Sequence, residues 1–323
     1  MPSAQSPARS HDQITVQPGP IDPTHWHALP EGTPIPLQQH WLYGLALQSV
    51  GVPIYQWQIE DTDGPLGFAL VARRRFLRLV SFDTLLRGPL YFRDRAKSTN
   101  AVHKALRRKS NPWRWRFLLQ QPELLDDTAT TQALKTAGLR QVATGYSTAW
   151  LDLRPEPGVL RAALVGKWRT QLRAAEKADM QISIGGHKAH HYAWLLEKEA
   201  AQRSARSYQA TPLELVPLYQ ATAEHAGEPG ILSVTAMSGR RRIAGAIFLL
   251  HGNSATYHMG WVGEEGRSTG AQNRVLFEAM CALRQKGISF LDLGGINTAE
   301  GAGIARFKLG TGAAPVTYTG SWI

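Results

Sequence analysis

The segment from residue 288 to residue 312 constrains the fold of this chain more than any other part of the sequence. An apolar run, Ile288 to Leu293, ends abruptly in Gly294-Gly295, and further glycines then surround Arg306-Phe307-Lys308. An apolar strand that ends in glycines can present backbone N–H groups and a cation to a ligand. The pattern therefore predicts a strand and a Gly-rich loop at a ligand site. The alternative is an ordinary strand, a long turn and a solvated basic pair.

The charge of the chain indicates an anionic partner. The 36 Lys and Arg residues against 25 Asp and Glu give a net charge of +11 over 323 residues. Much of the excess lies in four clusters: 73–78, 107–109, 161–177 and 240–242. A field of this sign attracts nucleic acid, membrane phosphates or a phosphorylated small substrate. The alternative is that the positive charge only keeps the protein soluble.

The composition excludes several classes of protein. A hydrophobic content of 43% and ten Trp residues predict a packed globular chain. A single cysteine, Cys281, excludes a disulfide framework and a Cys-ligated metal site. No apolar stretch approaches the length of a membrane span, and the polar first 25 residues do not resemble a secretory signal. We therefore expect a cytoplasmic protein without a membrane span.

Motifs in a characteristic order resemble Fem-type aminoacyltransferases and their relatives in the acetyltransferase (GNAT) superfamily. The C-terminal ones are Asp292-Leu-Gly-Gly295, Phe307-Lys308-Leu-Gly310 and Val316-Thr-Tyr-Thr-Gly320. Earlier ones are Pro36-Leu-Gln-Gln39 with Trp41, Arg87-Gly-Pro-Leu-Tyr91 and the stretch 167–177. No single motif is specific, and it is their order over residues 36 to 322 that carries the resemblance.

The resemblance implies an α/β fold with mixed sheets, built from two tandem GNAT-like units without a coiled-coil arm. Residues 1–30 are expected to form a flexible tail. Pro155-Glu-Pro-Gly158 is the best boundary, which predicts units at 31–157 and 158–323. Weak internal sequence similarity agrees with two units: residues 66–71 resemble 244–249, and residues 133–138 resemble 282–287.

The resemblance also implies a donor and a catalytic lysine. The donor would be an aminoacyl-tRNA, the acceptor a small-molecule or peptide amine, and no cofactor would be needed. Lys308 would lie near the aminoacyl ester with Phe307 packed beneath it, and a fixed cation there would stabilise the oxyanion. Asp292, at a strand end, is a second catalytic candidate, with Asp83 and Glu300 as looser candidates for a base; the alternative for Asp292 is that it hydrogen-bonds the N–H groups of the following loop. The remaining donor-site candidates are Arg306, Gly294, Gly295 and Asn297.

A basic helix is predicted to contact anionic groups. Within the predicted helix 161–178, Arg169, Arg173 and Lys177 form a stripe at i, i+4 and i+8, and Lys167 lies to another side. A solvated helix face is the usual explanation of such a stripe. Because no acid lies on it, contact with tRNA phosphates or an acceptor diphosphate is the competing hypothesis. Arg203, Arg206 and Arg267 complete the predicted anion-binding set.

Two other functions remain open at the level of the sequence. GNAT enzymes bind the coenzyme A pyrophosphate on a loop that Arg267-Ser-Thr-Gly-Ala-Gln272 matches at Arg267 and Gly270 but not at Gln272. Ser268 or Thr269 is more simply an N-cap there. An acyl-CoA N-acyltransferase is therefore the second hypothesis, and a non-catalytic RNA-binding module is the third. His187, His190 and His191 lack an acidic partner at ligand spacing, so no metal site is predicted.

Overall fold

The computed structural model describes residues 13–76, 80–93, 99–206, 211–297 and 301–323, apart from the side chains of residues 76, 205 and 206. The chain forms two compact units. The first contains the described parts of 1–31, 53–145 and 319–323, and the second contains 32–52 and 146–318. Glu300, one of the looser base candidates, lies outside the described residues.

The first unit is a mixed sheet with short helices. Its strands are β1 (Thr15–Pro18), β2 (Ile54–Asp61), β3 (Gly64–Phe76), β4 (Val80–Leu86), β5 (Leu90–Tyr91), β6 (Arg116–Gln121), β7 (Gln141–Ala143) and β15 (Ser321–Trp322). Its helices are α1 (Thr24–His27), α3 (Thr99–Arg107), α4 (Thr128–Thr136) and the 3-10 turn Pro112–Arg114. The strand order is β1-β2-β3-β4-β6-β15-β7, β5 pairs with β3, and β4 and β6 are the parallel pair.

The second unit is a larger mixed sheet. Its strands are β8 (Ser147–Asp152), β9 (Gln181–Gly185), β10 (Ile231–Ser238), β11 (Arg241–His251), β12 (Ser254–Val262), β13 (Phe290–Gly295) and β14 (Ala314–Thr317). Its helices are α2 (Trp41–Ser49), α5 (Pro157–Ala163), α6 (Gly166–Lys177), α7 (Ala193–Arg206), α8 (Leu215–His225), α9 (Glu264–Thr269), α10 (Ala271–Gln285) and α11 (Ala302–Leu309). Two 3-10 turns are Leu37–Gln39 and Ala189–His191. The strand order is β14-β8-β13-β12-β11-β10-β9.

The predicted unit boundaries differ from the observed ones because strand pairing decides membership. β8 was placed in the first unit, but it pairs with β13 and β14 of the second sheet. Of the segment 316–320, which was expected to form a closing strand, only Val316 and Thr317 lie in a strand, β14 of the second sheet, and β15 of the first sheet begins at Ser321. Residues 13–30 are not a tail: β1 pairs with β2, and Trp26 is buried.

The two sheets share one strand arrangement, so it can be asked whether the similar sequence segments of the two units form equivalent elements. Each contains an antiparallel run leading to a parallel pair, with a helix between the two parallel strands: α3 between β4 and β6, and α10 between β12 and β13. The similar segments 66–71 and 244–249 therefore lie in equivalent strands, β3 and β11. The proposed similarity between 133–138 and 282–287 is wrong, because the two helices are not equivalent. In the first unit α4 follows both strands of the parallel pair, whereas in the second unit α10 lies between the two parallel strands.

The core of the second unit follows the sequence pattern at α10. Its predicted apolar face (Val275, Leu276, Ala279, Met280 and Leu283) is fully buried against the sheet and α6. Burying a side chain of this kind stabilises the fold by about 1.5–3 kcal/mol before entropy is counted. The predicted helix 161–178 is instead two helices, because Leu164 and Val165 are extended and the Val165 N–H donates to the Gly310 carbonyl at 2.9 Å.

No described helix is longer than the 15 residues of α10, in agreement with the predicted lack of a coiled-coil arm. Among the described helices, none combines the length and the apolarity needed to cross a bilayer.

Candidate active site

A cleft opens in the second unit where the parallel strands β12 and β13 separate. The two strands pair only over residues 254–256 and 290–292. Beyond that point β12 stays with β11, whereas β13 turns to β8, where Gly295 pairs with Thr148. The opening has a volume of about 1120 Å³ and is lined by β12, the end of β13, α6, α7 and α11. The edges of separating strands leave backbone N–H and C=O groups available to a ligand.

A β-bulge shapes the β12 wall of this cleft. The register with β11 shifts between Tyr257 and Met259, so His258 has no partner residue on β11 and lines the cleft. Burial, together with the positive charge of Arg203, lowers the pKa of His258 to about 4, and the negative charge of Glu199 opposes the shift. The imidazole is therefore neutral near pH 7 and can accept a hydrogen bond from an amine or hydroxyl. Sequence analysis missed this residue, because a bulge leaves no signal in an alternating strand pattern.

Asp292 organises the glycine turn at the end of β13. Its buried Oδ1 accepts hydrogen bonds from the Thr148 hydroxyl at 2.6 Å and from the Gly294 N–H at 2.8 Å. Gly294 has φ +73°, a conformation that strains residues with a side chain. The carboxylate thus fixes the two glycines, as one of the two readings of the sequence predicted. A catalytic role for Asp292 stays a prediction.

Lys308 lies opposite this turn and lines the cleft. Its Nζ donates to the Gly295 carbonyl at 2.8 Å, which uses one of the three ammonium donors. Burial lowers the pKa of Lys308, while the negative charge of Asp292 opposes that shift. The predicted Gly-rich loop around Lys308 is wrong. The residue lies on α11, where Ala305 packs into the core and Gly310 follows the last turn.

Phe307 lines the cleft and packs on Trp168, and its place beneath the aminoacyl ester stays a prediction. Its ring lies 5.9 Å, centroid to centroid, from that of buried Trp168, whose Nε1 donates to the Phe307 carbonyl at 3.1 Å. A Cβ on Gly310 would stand 2.5 Å from the Trp168 ring, which explains the glycine after α11. Trp168 therefore fixes α11, and with it Lys308, against α6.

The cleft is lined by five of the predicted cations and one acid. The cations are Lys167, Arg203, Arg267, Arg306 and Lys308. The acid, Glu199, accepts a 2.9 Å hydrogen bond from Arg203, which also donates to the Thr211 carbonyl. Arg203 lies within α7. The side chain of Arg206 lies outside the described part of the structure. The cleft is thus suited to an anionic ligand.

The predicted stripe of Arg169, Arg173 and Lys177 does not line the cleft. On α6, it is Lys167, Trp168 and Gln171 that face it, and the stripe lies on other sides of the helix. Glu176, expected to partner Arg173, instead forms a salt bridge with Arg161, to which it also hydrogen-bonds at 3.1 Å. Gly294 and Gly295 line the cleft, whereas Asn297 is outside the lining set.

The coenzyme A motif is modified in a specific way. Gln272 lines the cleft, and its amide donates to the Tyr257 hydroxyl at 3.0 Å. Ser268 and Thr269 are not N-caps: both hydroxyls donate to the Glu265 carbonyl inside α9, and Gly270 takes the N-cap position of α10. The polar Gln272 head thus occupies the wall where the motif normally has a glycine or alanine.

Other predicted candidates lie outside the cleft. Asp83 is buried in the first unit and accepts two hydrogen bonds from Arg73, at 2.5 and 2.7 Å, so both oxygens are engaged structurally. The rings of His187 and His190 pack on His191 with centroids 5.3 and 4.2 Å away. Within the described ranges, no three His, Cys, Asp or Glu side chains form a group that could hold a metal ion.

Comparison with known proteins agrees with this geometry. Residues 165–309 match the family described as Acetyltransferase (GNAT) domain, and this segment contains α6, the cleft strands and Lys308. No curated protein sequence gives a significant match.

Solved structures resemble the chain over both units. The structure of FemX aligns with a TM-score of 0.76 at 12% identity, covering 95% of this chain and 96% of FemX. A tandem GNAT protein from the clavulanic acid biosynthesis pathway gives 0.55 at 12%, covering 96% and 98%. The C-terminal domain of a putative lysylphosphatidylglycerol synthetase from Agrobacterium fabrum gives 0.53 at 11%, covering 88% of each chain.

These matches confirm the predicted α/β fold of GNAT type and the resemblance to the Fem group in fold. Residues 165–309 match a GNAT acetyltransferase domain, which supports an acyltransferase, and the whole chain has a FemX-like fold.

Proposed function

We propose that this enzyme transfers an aminoacyl group from aminoacyl-tRNA to the amine of a small molecule or peptide in the cytoplasm, without a cofactor. The observation that carries the proposal is the lysine of α11, whose ammonium group is fixed over the glycine turn of β13 in a cation-rich cleft. The FemX-like fold supports the same donor class.

In the proposed reaction the acceptor amine attacks the ester carbonyl of the aminoacyl group. A C–N bond forms, the carbonyl oxygen becomes an oxyanion, and collapse breaks the C–O bond to the terminal ribose. The ribose hydroxyl of the tRNA leaves with the proton that the amine gives up, so the atoms balance. Because an ester is already activated, positioning supplies much of the rate without a strong base. Lys308 donates to the oxyanion, with Phe307 and Trp168 holding its helix.

The charge around the cleft supports a phosphate-bearing donor. Five Lys and Arg side chains line it against one acid, and that acid is already paired with Arg203. Gln272, which replaces the small residue of the coenzyme A motif, favours tRNA over coenzyme A as the source of those phosphates.

A second candidate is an acyl-CoA N-acyltransferase that uses the same cleft. The GNAT domain match favours it, as does the resemblance in fold to the tandem GNAT protein, a structure described as being without AcCoA. A non-catalytic RNA-binding module predicts tRNA affinity that survives the loss of Lys308, together with no turnover.

Two matched triple variants locate the tRNA surface. One replaces Lys167, Arg267 and Arg306, which line the cleft, with Ala; the other replaces Arg169, Arg173 and Lys177, which do not. Each phosphate contact contributes about 0.7–0.9 to the slope of log affinity against log salt. We expect the cleft variant to bind tRNA more weakly with a slope smaller by about 2–3.

The second triple variant serves as the control and tests the helix stripe. If it lowers the salt slope as much as the cleft variant does, the stripe also contacts phosphates, as the sequence suggested. If neither variant changes tRNA affinity or its salt slope, the cleft does not bind tRNA and the donor assignment is wrong.

A further inference from the structure

Two tryptophans project from the first unit with almost nothing packed on them. Trp113 is 95% exposed and Trp115 is 61% exposed, although most large apolar side chains of the chain are buried. An exposed Trp leaves up to about 250 Å² of largely apolar surface in water. The two tryptophans stand two positions apart in one turn and form a patch of the kind that marks a binding surface.

Backbone hydrogen bonds order the turn that carries the two tryptophans. Asn111 and Arg116 form an antiparallel bridge, with N–H to carbonyl distances of 2.8 and 3.0 Å, and Pro112 begins the 3-10 turn between them. The Ser81 N–H of β4 donates to the Trp115 carbonyl at 2.8 Å. Both indoles are therefore held outward by backbone hydrogen bonds.

The backbone at Trp115 indicates that its side chain matters. Its φ of +51° lies in the left-handed region, where glycine is favoured and a bulky residue is strained. A glycine would satisfy this turn better than tryptophan does. Strained non-glycine residues of this kind are concentrated at functional sites.

The neighbouring sheet surface extends the patch. Phe82 of β4, 45% exposed, stacks on Phe117 of β6 with centroids 5.5 Å apart, and Arg74 of β3 is the register partner of Phe82. Exposed aromatic rings thus continue from the turn onto the sheet, with an exposed arginine beside them.

The segment 99–121, which carries both tryptophans, has charge of one sign, and the nearest acid on β4, Asp83, is buried and paired with Arg73. Between Thr99 and Gln121 the sequence contains six Lys and Arg residues and no Asp or Glu. Arg108 and Arg114 are exposed on either side of Trp113. Exposed tryptophans flanked by arginines that form no salt bridge with any residue the structure describes match the chemistry of an anionic bilayer surface, where indoles lie at the headgroup level and cations contact lipid phosphates.

We propose that this surface, formed by Trp113, Trp115, Phe82 and the surrounding arginines, docks the protein on membranes that contain anionic lipids. An RNA surface fits less well, because aromatic rings that stack on bases form a platform, whereas Trp113 stands 95% exposed with no protein surface behind it. The proposal concerns the first unit and does not depend on the donor used in the cleft.

Flotation with lipid vesicles tests this proposal. The full-length protein is mixed with vesicles of phosphatidylcholine alone or of phosphatidylcholine with phosphatidylglycerol. We expect binding to the anionic vesicles only, and a partition coefficient at least about tenfold lower for the Trp113→Ala/Trp115→Ala variant. Arg114→Ala should lower it about fivefold, the effect of one cation near such a surface.

Leu125→Ala is the matched control, because Leu125 is an exposed apolar residue of the same unit, 58% exposed, outside the patch. It should bind vesicles like the unchanged protein, and circular dichroism checks that each variant is folded. A tryptophan emission shift to shorter wavelength with anionic vesicles, reduced in the double variant, would add support. Equal vesicle binding by the double variant, or no binding to anionic vesicles by the unchanged protein, would overturn the proposal. So would a double variant that loses tRNA affinity and keeps vesicle affinity.

Discussion

Replacing Lys308 with methionine removes the cation that the proposed reaction needs and keeps most of the rest of the side chain. The aliphatic stem, half-buried on α11, can still pack in place. The only hydrogen bond lost within the described structure is the one from Nζ to the Gly295 carbonyl. The fold should therefore survive, and the effect should appear in the chemical step.

The size of that effect follows from the geometry. One N–H of the ammonium group is used by Gly295, which leaves two donors for the oxyanion. Removing one preorganised donor of this kind from an oxyanion site costs about 3 kcal/mol in the barrier, or about 100- to 1,000-fold in kcat. Because the contact strengthens only in the transition state, KM should change little.

Steady-state transfer of labelled amino acid from charged tRNA to an amine gives both constants. Arg306→Met is the matched control: it removes an exposed cation of the same helix that also lines the cleft. It should raise KM and leave kcat nearly unchanged, since its charge contacts donor phosphates in both ground and transition states. Unchanged kcat in Lys308→Met would refute the oxyanion assignment.

Three further predictions concern the surroundings of the site. The negative charge of Asp292 raises the pKa of Lys308 against the effect of burial, so Asp292→Asn should lower that pKa further. The alkaline limb of the pH–rate profile should then move to lower pH, and a limb that does not move would contradict this electrostatic coupling. Burial lowers the pKa of His258 to about 4 from its ordinary 6.5, so the folded state binds fewer protons than the unfolded state between those values. The stability that the neutral imidazole contributes is complete above pH 6.5 and is lost as the pH falls toward 4. In urea denaturation, His258→Asn should therefore lose less unfolding free energy between pH 6.5 and pH 4 than the unchanged protein does. Equal losses in the two proteins would argue against the lowered pKa of His258. Trp168→Ala should cost about 3–5 kcal/mol of unfolding free energy, measured by urea denaturation, because a buried ring that holds α11 is lost; a cost below about 1 kcal/mol would show that α11 is held by other contacts.

The sequence predicted the strands and helices whose patterns are local. The hairpin of β11 and β12 was readable from Gly252-Asn253, and Gly252 indeed has φ +59°. The buried face of α10 was readable from its helical spacing. Both features depend only on residues near each other in the chain, so one sequence is enough to predict them.

Features decided by distant partners were not predictable in this way. The break between α5 and α6 depends on a hydrogen bond from Val165 to Gly310, 145 positions later. The assignment of β8 to the second sheet depends on pairing with β13. At the site, the resemblance placed Lys308 near the aminoacyl ester, but the helical spacing that predicted the stripe could not show that Lys167 faces the cleft instead.

Binding of the donor distinguishes an aminoacyl-tRNA from an acyl-CoA as the substrate of the cleft. Affinities of the purified protein for charged tRNA, uncharged tRNA and acetyl-CoA would be measured at two salt concentrations. With aminoacyl-tRNA as the donor, we expect the protein to bind charged tRNA more tightly than uncharged tRNA at both salt concentrations. We expect it to bind acetyl-CoA more weakly than charged tRNA. Acetyl-CoA binding together with weak tRNA affinity that salt abolishes would contradict aminoacyl-tRNA as the donor, and would assign the cleft to an acyl-CoA donor.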